Sequence, residues 1–108
     1  MTKTLYFSIG QDPSDAANNA ILLNADNFIA AGFVDSFGVI LYFADRANTG
    51  AAETMISLTH DEARGIDVLE DVCEAMASEP KDGFIVIADE AGGEFCSPFI
   101  TACTITQL

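Results

Sequence analysis

The sequence predicts a mainly β, α+β fold: five to six strands forming a small, strongly bent barrel or curved sheet, with one amphipathic helix before the last two strands. Three observations carry that prediction. Several short segments alternate apolar and polar residues with the period of a half-buried strand, and a single segment repeats apolar residues at helical spacing. Clusters of Gly, Pro, Asn and Asp punctuate the chain between them. With 108 residues, half of them hydrophobic and eight of them Phe, residues 1–108 are read as one domain with one core.

The elements follow in order. From Lys3 to Ile9, Leu5, Phe7 and Ile9 face one way and Thr4, Tyr6 and Ser8 the other, which is a half-buried strand. Gly10 to Asn19 is rich in turn formers and reads as an exposed loop. Ala20 to Leu23 resumes an apolar run, and Asn24 to Asn27 interrupts it. Phe28 to Val34 is a strand with a bulge expected at Gly32, and Asp35-Ser36 turns the chain. The segment Phe37 to Ala44 is apolar on both faces, so it is either central in a layered fold or half covered by another subunit. After the loop Asp45 to Ala52, Glu53 to Thr59 sets Ile56 and Leu58 against Met55 and Ser57.

Thr59-His60-Asp61-Glu62 has the spacing of a capping box and predicts a helix over Asp61 to Glu79, stopped by Pro80. Ile66, Leu69, Val72, Cys73, Met76 and Ala77 are expected to face the core, and Asp67, Glu70, Asp71, Glu74 and Ser78 the solvent. Gly65 weakens this helix by about 1 kcal/mol relative to Ala. Phe84 to Ala88 and Phe95 to Gln107 are the last two strands, joined by the hairpin Asp89 to Glu94. Pro98 calls for an edge position or a bulge.

Seventeen carboxylates against four basic side chains give a net charge of −13. Such a surface repels polyphosphates and anionic membranes. Lys3, Arg46, Arg64 and Lys81 are too scattered to form a nucleic-acid surface, which must release counterions from phosphates. No stretch approaches the ~20 apolar residues of a membrane span, and Met1 to Phe7 reads as a first strand rather than a signal peptide. Cys73, Cys96 and Cys103 are expected as free, core-packed thiols in a reducing compartment, with a Cys96–Cys103 bridge the alternative. The expected location is therefore the cytoplasm, or a virion assembled in it.

Candidate chemistry is sparse. His60 is the single histidine, so one chain holds neither a histidine-rich metal site nor several catalytic histidines, and its place beside the helix cap gives it a structural role. Asp89, Glu90 and Glu94 could attract a hard cation, although they lack the alternating spacing of a calcium loop and serve equally as a soluble hairpin tip. Gly92-Gly93 has no following lysine and carboxylates on both sides, unlike a phosphate cradle. No catalytic residue and no cofactor is assigned.

Gly32-Phe33-Val34-Asp35-Ser36-Phe37-Gly38-Val39-Ile40-Leu41 resembles the middle of the first motif of Sm and LSm proteins. The resemblance implies an Sm-like, SH3-like bent barrel that assembles into rings through edge strands, with Asp35 as the one RNA-site position that matches. Gly38 or Val39 stands where the motif has Asn, and the family's Arg-Gly pair occurs only as Arg64-Gly65 inside the predicted helix. In texture the chain is also similar to short, acidic, strand-rich accessory proteins of marine tailed phages.

The reading that follows is a non-catalytic, self-associating structural or interaction module, a homo-oligomer with room for a protein partner. Its expected interface is Phe37, Val39, Ile40, Leu41, Tyr42 and Phe43. The alternatives are an Sm-like RNA-binding ring using Asp35 and a divalent-metal-dependent enzyme using Asp89, Glu90 and Glu94.

Overall fold

A computed structural model of the chain describes residues 3–9, 20–44 and 53–107. The predicted loops at 10–19 and 45–52, with Arg46, lie outside the described residues. Among the described residues eight strands form rather than five or six: β1 (Thr4–Ser8), β2 (Ala20–Asn24), β3 (Phe28–Asp35), β4 (Gly38–Ala44), β5 (Glu53–His60), β6 (Phe84–Asp89), β7 (Glu94–Phe95) and β8 (Ile100–Gln107). The helix α1 (Gly65–Ala77) lies between β5 and β6.

The strands do not close into one barrel. They form two four-stranded sheets, β2-β1-β6-β7 and β3-β4-β5-β8, each with two free edges among the described residues. The second sheet is antiparallel throughout, while the first contains the parallel pair β1 and β6. A single-turn 3-10 segment at Ala25–Asn27 carries the chain from the first sheet to the second. The Asn24 side chain accepts the Asp26 amide there. The helix carries the chain back.

The core lies between the two sheets, because β1, β4, β5, β6 and β8 each bury one side of their alternation. Leu5 and Phe7 of β1, Ile87 of β6, Val39, Leu41 and Phe43 of β4 and Ile56 of β5 are fully buried. The Phe7 and Phe43 rings meet edge to face with centroids 5.8 Å apart, joining the sheets, and Phe28 adds a second such contact to Phe43 at 5.5 Å. The two-sided apolar segment is thus a central strand, β4, flanked by β3 and β5. Gly32 pairs regularly with Ile40. The irregularities of β3 fall instead near its ends, between Phe28 and Ala30 and between Phe33 and Asp35.

The helix departs most from expectation. Thr59 and His60 finish β5 instead of capping a helix, and α1 starts at Gly65 behind Arg64, which makes no side-chain cap bond. The intervening turn is held by two other turns: His60 N donates to Phe37 O at 2.7 Å, Asp61 N to Phe99 O at 3.0 Å and Ala63 N to Ser36 O at 2.8 Å. These tertiary hydrogen bonds satisfy the His60, Asp61 and Ala63 amides and fix the turn in place of a side-chain cap. The helix ends at Ala77, where the Ser78 amide and hydroxyl both donate to Ala75 O.

Its inward face is also rotated from the predicted one. Gly65, Val68 and Val72 are buried, with Leu69, Ala75 and Met76 beside them, whereas Ile66 is 64% exposed and Cys73 is exposed. Ile66 stands two residues, about 200°, from Val68 and so faces outward. The expected final strand is broken as well. Ser97 and Pro98 lie in the bend between β7 and β8 that returns the chain to the second sheet.

Candidate interaction surfaces

Every described carboxylate lies on the helix, in a turn, or at the first or last residue of a strand. No described strand has a charged residue in its interior. The sequence puts alternating apolar residues into the core and leaves small, hydroxyl or apolar residues on the other side. The outer faces of both sheets are therefore nearly free of charge, while the rim of the molecule is acidic.

On the second sheet the outer face can be read from the register. Gly32, Ile40, Ser57 and Thr104 form one row, and Ala30, Tyr42, Met55 and Thr106 the next. On the first sheet Leu22, Tyr6 and Val86 form a row beside Phe84, whose ring lies 5.8 Å from that of Tyr6. Charge enters the outer face of the second sheet only at its margins, through Asp35 and Glu53.

The predicted interface divides along this alternation. Val39, Leu41 and Phe43 are fully buried within the chain and are removed from any intermolecular surface. Ile40 and Tyr42 point to the outer face and are half-buried. Phe37 precedes β4, in the turn, and is 51% exposed. The sequence reading missed the neighbouring edge strand: Ile29, Phe33 and Val34 of β3 are 55%, 58% and 60% exposed. The absence of any charged residue from Phe28 to Val34 was the available signal.

A groove of about 280 Å³ opens at the turn between β3 and β4 and runs across to β5, with Val34 and Phe37 as apolar walls, Gly38 between them and Ser57 and Thr59 opposite. Asp35 stands at this groove, and its Oδ1 accepts the Phe37 amide at 2.8 Å. That bond is an Asx turn, which holds the Asp35 carboxylate in place with its charge exposed. Asp35 thus has a structural part at the position the Sm resemblance would give to RNA.

The hairpin carboxylates are not gathered around a common point. Asp89 Oδ1 accepts the Ser8 hydroxyl at 2.6 Å and the Gly92 amide at 2.9 Å; Glu90 Oε1 accepts the Cys103 amide at 2.8 Å; Glu94 is exposed. Two of the three are committed to tying β1, β6 and β8 together. Among the described residues no three His, Cys, Asp or Glu side chains are grouped to hold a metal ion.

The cysteines are free, and only Cys103 is in the core as expected; Cys96 is half-buried and Cys73 exposed. Burial, reinforced by Asp71, pushes the Cys96 thiol up to about 12, and burial with Glu90 does the same for Cys103. Such thiols are poor nucleophiles. His60 is buried, with Nδ1 donating to the Asp61 carbonyl oxygen at 2.6 Å and Nε2 beside Gly65 without a hydrogen-bond partner among the described residues.

Comparison with family models, characterised proteins and solved structures finds no match to this chain. Among the described residues no helix is long and apolar enough to cross a membrane.

Proposed function

We propose that this protein is a non-catalytic, self-associating interaction module in which two copies meet through the outer face of the second sheet. The observation that carries the reading is the pair of uncharged rows containing Ile40 and Tyr42 on a chain of net charge −13. Two such chains repel wherever their carboxylates approach. They can come together only where neither presents one. Gly32, Ala30 and Ser57 keep the face flat enough for sheets to stack about 10 Å apart.

The area sets the strength. Four strands ~4.8 Å apart and four or five residues deep cover roughly 300 Å² on each partner, well below the ~800 Å² of a standard interface. Association is accordingly weak and concentration-dependent. Sedimentation velocity across tens to hundreds of micromolar tests this. The expected result is a rising weight-average mass, enhanced by salt that screens the like charges and lost in Tyr42→Asp. A monomer throughout that range overturns the proposal.

A further inference from the structure

We infer that the free edge of β3 accepts an extended, cationic segment of a partner protein by strand addition, with a Lys or Arg side chain in the groove between Val34 and Phe37. The backbone edge lies beside the sheet face on which two copies meet, and the groove shares Ser57 with that face.

The edge is open, and it is interrupted only by the irregularities near its two ends. β3 pairs only with β4 among the described residues, so one side of its backbone presents unpaired N–H and C=O groups. Natural edges are blunted by Lys, Pro or inward-pointing charge. From Phe28 to Val34 there is none of these, and Ile29, Phe33 and Val34 are more than half exposed. Between its two end irregularities, the pairing from Ala30 to Phe33 is regular, long enough to template the core of an added strand.

Charge decides the occupant. Asp26 precedes the strand and Asp35 ends it. Asp61 and Glu62 belong to the turn bonded to Ser36 through Ala63. The nearby cation is committed, since Arg64 lies 3.3 Å from the Asp67 carboxylate and over the Phe99 ring. Were two copies to pair antiparallel through β3 around Ala31, Asp35 of each would meet Asp26 and Asn27 of the other. Like charges would then face each other at both ends. A basic segment meets attraction at the same places. The groove has apolar walls for an aliphatic stem and the Asp35 carboxylate for the charged head, the arrangement long basic side chains favour.

The test is fluorescence anisotropy with a labelled peptide of alternating Val and Lys. Binding is expected to weaken at least tenfold when alternate backbone amides of the peptide are N-methylated, because they can no longer join the ladder. It should weaken several-fold with Asp35→Asn, which keeps the turn acceptor and removes the charge. A Val–Glu peptide should not bind. The inference is overturned if the N-methylated or Val–Glu peptide binds equally, if Asp35→Asn changes nothing, or if no peptide binds. It is also overturned if self-association survives Tyr42→Asp but is abolished by Ile29→Lys, since a second copy would then occupy the edge.

Discussion

Phe33 lies directly over Gly65: a Cβ on the glycine would stand 2.5 Å from Cε1 of the ring and 2.8 Å from Cδ1. An edge-strand aromatic thus covers the first residue of the helix, and Gly65 is there for close approach. Gly65→Ala is expected to cost about 1 kcal/mol, the displaced ring outweighing the gain in helix propensity. In a Phe33→Ala background the same change should be neutral or stabilising. Urea unfolding of the four proteins of this cycle gives the coupling, expected above roughly 0.5 kcal/mol.

The turn into the helix stores strain at Ala63, whose φ is 60°. A Cβ disfavours this left-handed conformation by about 1–2 kcal/mol, partly offset by the greater entropy of an unfolded glycine. Ala63→Gly should therefore stabilise the protein by roughly 0.5–1 kcal/mol, read as a higher denaturation midpoint at unchanged slope.

Phe43 is fully buried and meets both Phe7 and Phe28. Phe43→Ala removes the ring that joins the sheets, with an expected loss of about 3–5 kcal/mol. Tyr42→Phe, one residue away but on the outer face, should change stability little. Thermal unfolding of the two variants separates the inward and outward sides of β4.

The three thiols should differ in reactivity. In native buffer near neutral pH iodoacetamide should label Cys73 alone, because it is exposed while the Cys96 and Cys103 thiols are held up at about 12. Three adducts should appear in urea, counted by mass spectrometry.

The same two thiols make stability depend on alkaline pH. Between their ordinary value of 9.0 and about 12 the folded chain keeps protons that the unfolded chain has lost. Stability from this source is complete below pH 9 and falls as pH rises, by up to about 1.4 kcal/mol per pH unit for each thiol. Cys103→Ala should flatten the fall in urea-melt stability measured from pH 9 upward, even though it lowers stability at neutral pH.

Much of the local structure was legible in the chain. The alternation of Leu5 and Phe7 and of Ile56 and Leu58 named buried residues correctly, because a strand's period of two leaves little choice of side. The helix was legible as an element but not in its start or its face. Thr59 and Glu62 had capping-box spacing, yet β5 pairing extends through His60, and the β3–β4 and β7–β8 turns hold the segment by backbone hydrogen bonds. Long-range bonds of that kind leave no local trace in the chain. Of the candidate interface, Ile40 and Tyr42 were recognisable as outward-facing only once the register of the strand was set.

By itself the sequence determined the mainly β class, the single helix between strands, the two-sided apolar segment from Phe37 to Phe43 and a strongly acidic composition. These depend on residue type and short-range periodicity, which act before any contact forms. The tertiary structure decided that the strands divide into two open sheets instead of one barrel, that Val39, Leu41 and Phe43 turn inward, and that Ile29, Phe33 and Val34 are left on a free edge. Which strand lies at an edge, and which side of an apolar strand meets the core, depends on pairings between residues far apart in the chain. Only the assembled sheets supply those partners.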